Sequence, residues 1–230
     1  MNTLERPDTF RKVHKALRKT LFDTTYLAGR TDFTIDHELE ALKTQVNELV
    51  HFLHMHAHKE ETYSFPLIEA KCPGASAHDQ AEHEKIDQLI ADLEHRLATT
   101  QASPLAVRPG LGYDFYLALN RFVSVYLMHM DEEETDTTAQ TYALCTDEEI
   151  QGVTQKIIAS MSPADAGLSY RYMIPALHSG ERTAFFKEVQ ATAPPFVLQN
   201  LLSVASTTLS AHEFQQLETA VVRRVETRNF

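Results

Sequence analysis

The chain has 230 residues, of which 43% are hydrophobic, so it is long enough to bury a sizeable core. Its formal net charge of −11 repels phosphate backbones, and we therefore expect no nucleic-acid partner. There are only two cysteines, no apolar run of ~18 residues that could cross a bilayer, and no N-terminal segment resembling a signal peptide, so we expect a cytoplasmic protein with neither a membrane partner nor a disulfide framework.

Four long segments before position 145 repeat apolar residues at steps of three and four, which is the period of an amphipathic helix. They predict helices over 9–28, 34–70, 76–100 and 113–144, with Ser76 as the N-cap of the third. Pro66 lies inside the second helix and is expected to kink or end it. The stretch 101–112 holds two prolines and two glycines and predicts a loop.

The remainder of the chain predicts five shorter helices, over 146–161, 162–177, 179–192, 194–209 and 210–228. Start signals introduce them, among them the capping-box pattern from Ser210 to Glu213. We find no internal repeat and no convincing strand pattern. The sequence therefore predicts an all-α protein with two parts: an antiparallel up-down four-helix bundle over 1–145 and a helical extension over 146–230.

Each long helix carries a heptad stripe of the kind that faces a bundle interior, and each stripe contains a histidine. In the fourth helix, four apolar positions lead to His129 and Glu133. In the second helix, Leu53 leads to His56 and Glu60, and the same spacing continues to Tyr63 and Leu67. The stripes of the first and third helices hold His14 and His83.

Burying so many polar groups among apolar residues is costly unless they are satisfied, and a pair of metal cations would satisfy them. In an up-down bundle, all four histidines fall at one end. Imidazole together with carboxylate is the ligand set expected for non-haem iron or manganese. We therefore predict a two-metal site whose ligands are His14, His56, Glu60, His83, His129 and Glu133.

These residues and their neighbours resemble the hemerythrin-like (HHE cation-binding) domain of the bacterial type. The resemblance rests on the isolated His14, His56-Ala-His-Lys-Glu60-Glu61 followed by Phe65-Pro66, Glu82-His83, and His129-Met-Asp-Glu-Glu133-Glu134. It implies that the six residues bind two iron ions, with Glu60 and Glu133 as bridges. It also implies a small diatomic ligand, dioxygen or nitric oxide, and a role in sensing, scavenging or iron handling.

The sequence departs from the oxygen-carrying hemerythrins in two places. Asp79 stands where they have a further histidine, and His129-x3-Glu133 replaces their His-x4-Asp pair. Both changes make the site richer in carboxylate, which puts reversible oxygen carriage in question. Three readings of Asp79 stay open: a ligand, an acceptor for an imidazole N–H, or a residue of the helix start.

Two other functions are compatible with the same residues. One is a diiron oxidase or peroxidase, which the carboxylates favour. The other is a metal- or gas-responsive regulatory module that acts through the C-terminal helices. We interpret 146–230 as an interaction or capping element, with a protein partner or a second copy of the chain as its candidate contacts. A ferritin-like site would need two Glu-x-x-His strings, and only Glu48–His51 occurs.

Several further polar residues lie off the inward stripes. His51, His54 and His58 fall on the outer side of the second helix and are interpreted as a solvated face. The acidic neighbours of the ligands are interpreted as outer-face charge: Glu61, Asp131, Glu132 and Glu134.

Two tyrosines, Tyr63 and Tyr126, lie on the inward stripes together with the proposed ligands. Each either donates a hydrogen bond to a bound oxygen or packs in the bundle interior.

Overall fold

A computed structural model describes residues 6–222, and every regular element in that range is a helix. The helices are α1 Arg11–Arg30, α2 Asp36–Lys59, α3 Phe65–Glu69, α4 Ala77–Ala102, α5 Arg108–Glu132, α6 Thr138–Leu144, α7 Asp147–Ser160, α8 Pro163–Ala176, α9 Ser179–Thr192, α10 Pro195–Thr208 and α11 Ala211–Val222. No helix in this range has both the length and the apolar character needed to cross a bilayer. The predicted end of the last helix, 223–228, lies outside the described residues.

The prediction of an all-α bundle followed by further helices is confirmed. Helices α1, α2, α4 and α5 form the four-helix bundle, and their inward stripes build one apolar core. Its fully enclosed members include Leu17, Leu42, Phe52, Phe115 and Leu119. The capping-box prediction at Ser210 is also confirmed, because its hydroxyl accepts from the N–H of Glu213 at 3.3 Å. Ser76 makes no side-chain cap for α4 and instead donates its hydroxyl to Glu69.

The expected kink or break at Pro66 is replaced by a π-helical turn just before it. This turn, Glu60–Ser64, joins α2 to α3, and in it the N–H of Phe65 donates to the carbonyl of Glu60, five residues back. Such a turn holds one residue more than an α-helical turn, so the inward face shifts along the sequence. Phe65 and Ile68 are therefore buried, whereas Tyr63 and Leu67, the predicted continuation of the stripe, are only partly buried.

The predicted loop at 101–112 is shorter than expected, because α4 reaches Ala102 and α5 begins at Arg108. The Arg108 guanidinium closes the connection by donating to the carbonyls of Ser103 and Gln101, both at 2.9 Å. Gly112 lies inside α5, at a position where a Cβ would stand 2.2 Å from the ring of Phe33. The glycine therefore marks a close approach between α5 and Phe33, in the connection before α2, and not a loop.

Helix α8 links the bundle to the C-terminal helices. Tyr172, Met173 and Leu177 belong to the apolar core of the bundle. On another side of the same helix, Ile174 joins a second core with residues of α9, α10 and α11, among them Phe186. The Tyr172 hydroxyl donates to Glu48 of α2 at 2.8 Å. The two-part division at position 145 remains a prediction, and α8 is the element on which it depends.

Candidate metal centre

The structure brings all six predicted metal ligands together at one end of the bundle. His14 comes from α1 and His83 from α4, while the last turns of α2 and α5 carry His56 and His129. Each of these two histidines is followed four residues later by a glutamate, Glu60 or Glu133, at the start of a π-helical turn. The i, i+4 spacing stacks that histidine and glutamate on one helix face. None of the six residues is more than 6% exposed.

One half of the centre is formed by the histidines of α1 and α2. The Nε2 atoms of His14 and His56 lie 3.1 Å apart. His56 Nε2 is 3.0 Å from Oε1 of Glu60, and His14 Nε2 is 3.3 Å from Oε2 of Glu133. Each of these four residues offers one donor atom, and the four atoms all lie within 4.8 Å of one another.

The other half is formed by the histidines of α4 and α5. His83 Nε2 lies 3.4 Å from Oε2 of Glu60 and 4.0 Å from Oε1 of Glu133. His129 Nε2 lies 3.4 Å from the same Oε1 of Glu133. The donor atoms of His83, His129 and Glu133 again fall within 4.8 Å of one another. Each glutamate thus directs one oxygen to each pair of histidines.

The inner surface of the centre has polar atoms that the protein does not satisfy. Both carboxylate oxygens of Glu60, both of Glu133, and Nε2 of His83 are buried without a hydrogen-bond partner. Unpartnered buried polar atoms are rare in folded proteins and costly where they occur. Five of them around one point, all metal-donor atoms, fit a site that metal cations complete.

Burial and mutual contact shift the pKa values of the clustered residues in opposite directions. Burial lowers the pKa of His14 to about 4, although its contact with Glu134 opposes this. Burial also lowers the pKa of His83, but contacts with Glu60 and Glu61 outweigh it and raise that pKa to about 9. The pKa of Glu133 is well above its usual range because the group is buried and lies beside Glu60. A cation entering here must displace protons.

A second row of carboxylates orients the imidazoles from outside. Nδ1 of His14 lies 3.0 Å from Glu134, Nδ1 of His83 lies 3.0 Å from Glu61, and Nδ1 of His129 lies 3.0 Å from Glu82. A carboxylate on Nδ1 fixes the tautomer that leaves Nε2 free to bind a metal. Arg18 in turn donates to Glu134 at 2.6 Å.

The sequence pattern does not predict this role for the three carboxylates, and it indicates only outer-face charge for Glu61 and Glu134. They do lie 100° around the helix from the inward glutamates, yet each reaches the histidine of a neighbouring helix. The signal was the repeated Glu-Glu doublet, whose first member faces inward and whose second member faces the next helix.

The two halves of the centre are locally equivalent. In both α2 and α5, a π-helical turn begins at the inward glutamate, at Glu60–Ser64 and at Glu133–Thr137. The outer glutamate of each doublet contacts the histidine of the other half: Glu61 holds His83, and Glu134 holds His14. π-Turns inside α-helices are frequently found at functional sites. This correspondence is confined to the site and is not a sequence repeat.

Other residues singled out in the sequence take different positions. Asp79 is buried and accepts a hydrogen bond from the Thr137 hydroxyl at 3.1 Å, and it is not among the clustered donor atoms. Tyr126 is buried beside the His129 ring, whereas Tyr63 is half-exposed. His51, His54 and His58 are exposed, as predicted.

Comparison with known protein families gives one match. The family model described as the hemerythrin HHE cation binding domain matches residues 7–138, which is more than half of the chain. No curated protein and no solved structure shows significant similarity to the chain. The matched range includes all six clustered residues and ends at residue 138, directly after the second π-turn.

Proposed function

This chain belongs to the hemerythrin HHE cation-binding family, and we propose on that basis that it is a non-haem diiron protein whose small ligand is dioxygen or nitric oxide. The proposed ligands are His14, His56, Glu60, His83, His129 and Glu133. Glu60 and Glu133 are the proposed bridges. The biological role would be sensing, scavenging or iron handling.

The observation that carries this proposal is the set of unsatisfied oxygens on Glu60 and Glu133. Each glutamate directs one oxygen to the α1–α2 histidines and one to the α4–α5 histidines, as expected of carboxylates shared by two ions. Four imidazoles and two carboxylates form a donor set suited to iron and poor for calcium or magnesium. Iron bound by these residues would supply the redox chemistry needed to bind a diatomic ligand.

The surrounding residues exclude water and hold the imidazoles. The Phe10 ring packs 5.1 Å from the ring of His14, and the Phe65 ring packs 5.4 Å from that of His83. Tyr126 covers the His129 ring from the bundle core at 5.5 Å. These apolar walls suit a small, weakly polar ligand and disfavour charged substrates.

A diiron oxidase or peroxidase is the second candidate. It is favoured by the carboxylates beside the α4–α5 half, because Glu82 contacts His129 and Asp79 is buried nearby. Added negative charge stabilises a more oxidised metal and favours net reduction of the bound molecule over its release. Steady consumption of oxygen or peroxide in the presence of a reductant would identify this activity.

Metal analysis of protein produced with iron available tests the main proposal. We expect about two iron ions per chain and an optical spectrum that changes when the reduced protein meets oxygen or nitric oxide. The matched control is the triple variant His51→Gln, His54→Gln, His58→Gln, which removes three exposed histidines of α2 and should retain both irons. One zinc ion with no affinity for iron would reject the diiron assignment.

A further inference from the structure

Glu82 takes part in two groups of residues. Toward the interior, it contacts Nδ1 of His129 at 3.0 Å. Toward solvent, it joins His78 and Glu132, and the donor atoms of these three residues lie within 4.8 Å of one another. Nε2 of His78 is 2.8 Å from Oε2 of Glu132. We call His78, Glu82 and Glu132 the outer cluster.

The outer cluster forms a graded series of donors between solvent and the buried centre. The exposed side-chain fraction falls from 67% for His78 to 37% for Glu132, 20% for Glu82 and 2% for His129. Glu132 also directly precedes Glu133 in the chain. The six inner residues are almost fully enclosed, and the outer cluster connects them to solvent through the contact of Glu82 with His129.

The outer cluster differs from an ordinary surface ion pair in having a third donor residue. His51 and Asp165 form such a pair at 2.8 Å, the same distance as His78 and Glu132. No third clustered donor accompanies them among residues 6–222. In the outer cluster, a third donor is present, spaced i, i+4 from His78 on α4, and it is already bonded to an inner histidine.

We propose that the outer cluster is a surface site for a divalent cation and that it delivers metal to the buried centre. The identity of the delivered ion rests on the proposed function, whereas the surface site itself does not. One imidazole and two carboxylates suit a first-row divalent ion such as Fe²⁺ or Mn²⁺. Two carboxylates at the rim also raise the local cation concentration and the rate of capture.

The first test uses metal-free full-length protein and Mn²⁺ as a paramagnetic probe. Substoichiometric Mn²⁺ should broaden the ring resonances of His78 first and spare those of His51, which is the matched exposed histidine. Equal broadening at His51, or none at His78, would overturn the surface site. Because Mn²⁺ in the buried centre would also broaden nearby His78, the titration is repeated on the Glu60→Gln, Glu133→Gln variant, which keeps the outer cluster intact. Loss of His78 broadening in that variant would overturn the surface site, whereas its retention would support the site whether or not the buried centre takes iron.

The second test measures anaerobic Fe²⁺ uptake by the His78→Gln, Glu132→Gln double variant, which retains Glu82 and its contact with His129. We expect uptake about tenfold slower than in the unmodified chain, with the same final iron content. The control variant His51→Gln, Asp165→Asn should load at the original rate. Unchanged loading in the first variant, or equal slowing in both, would overturn delivery. Absence of iron uptake in the unmodified chain would instead reject the proposed function.

Discussion

The α1 and α4 sides of the metal centre offer the same donor, a histidine Nε2, to the same pair of glutamates, yet they differ in what lies beside that donor. One and four residues before the histidine, α1 carries Val13 and Phe10, whereas α4 carries Glu82 and Asp79. Phe10 packs on the His14 ring, and Glu82 bonds the neighbouring His129. The α1 side is therefore apolar and the α4 side acidic, although both present a histidine Nε2 to the same two glutamates.

This difference indicates how one ligand set can hold two unlike ions. Donor type and spacing decide whether a metal binds, and the flanking charge tunes its oxidation state. If two irons bind as proposed, the ion between α4 and α5 has the more negative surroundings. In the other half, His56 is the only inner histidine without a carboxylate at Nδ1 among the contacts described. There, Val13 precedes His14 in the way that Glu82 precedes His83.

The largest effect on metal content is expected from Glu133, whose carboxylate contacts histidines of both halves. Glu133→Gln replaces an oxygen that both halves use, so both ions should be lost, and iron content should fall from about two per chain to near zero. Loss of a direct ligand should exceed the roughly 10–100-fold affinity loss typical of outer partners. The metal-free variant should remain folded, because a neutral amide replaces a carboxyl whose pKa is raised by burial. Two irons in Glu133→Gln, counted by elemental analysis, would exclude bridging by this residue.

The second effect concerns the α1–α2 side, because α8 packs against both of these helices. A chain ending at 145 loses Tyr172, Met173 and Leu177 from the core, a loss on the order of 5 kcal/mol in the free energy of unfolding. It should nevertheless remain helical and bind metal, since all six proposed ligands precede position 145. The matched chain ending at 178 retains α7 and α8 and should be the more stable of the two in urea unfolding followed by circular dichroism. Equal midpoints would show that α8 contributes little, and a folded 1–145 chain without metal would show that the extension shapes the site.

A smaller effect is expected from the acidic side. Glu82→Gln removes the charge that holds Nδ1 of His129, and metal affinity should fall about tenfold. Glu94→Gln, an exposed position on the same helix, is the control and should change nothing. Competition with a metal chelator measures the difference. Equal affinity in the two variants would mean that His129 is held without Glu82.

The smallest effect concerns Asp79. Asp79→Asn keeps a partner for the Thr137 hydroxyl but removes a buried negative charge. A charge difference worth ~1 kcal/mol corresponds to roughly a fivefold slower conversion of the ferrous to the ferric protein by oxygen. Stopped-flow spectroscopy measures this rate, with the exposed Asp87→Asn as control. A long-lived, reversible oxygen adduct in the unmodified chain would remove Asp79 from any such role.

Sequence periodicity was sufficient to predict which residues meet at the centre. His14, His56, His83 and His129 each continue an apolar heptad stripe, and a stripe that buries leucine must bury the histidine that follows it. The outer carboxylates could not be predicted in this way. Their side chains leave the stripe and reach a neighbouring helix, so their role depends on how two helices are rotated against each other.

Other features depended on contacts that no local pattern encodes. The start of α5 at Arg108 depends on the guanidinium of that residue, which binds the carbonyls of Gln101 and Ser103 at the end of α4. Gly112 is explained by its close approach to the ring of Phe33. Helix α8 was predicted correctly as a helix, but the sequence did not show that its residues contribute to two separate cores. Tertiary contacts overrode the local signals at each of these places.

The π-helical turn at Glu60–Ser64 sets the register of the helical segment that follows α2. The extra residue there sets the phase of everything after it, so that Phe65 and Ile68 point to the interior in place of Tyr63 and Leu67. Deleting one residue between 61 and 64 would rotate the whole downstream segment by about 100°. For this helix, a one-residue deletion would therefore be more damaging than most substitutions. Related chains are expected to conserve the length of this segment more strictly than its composition.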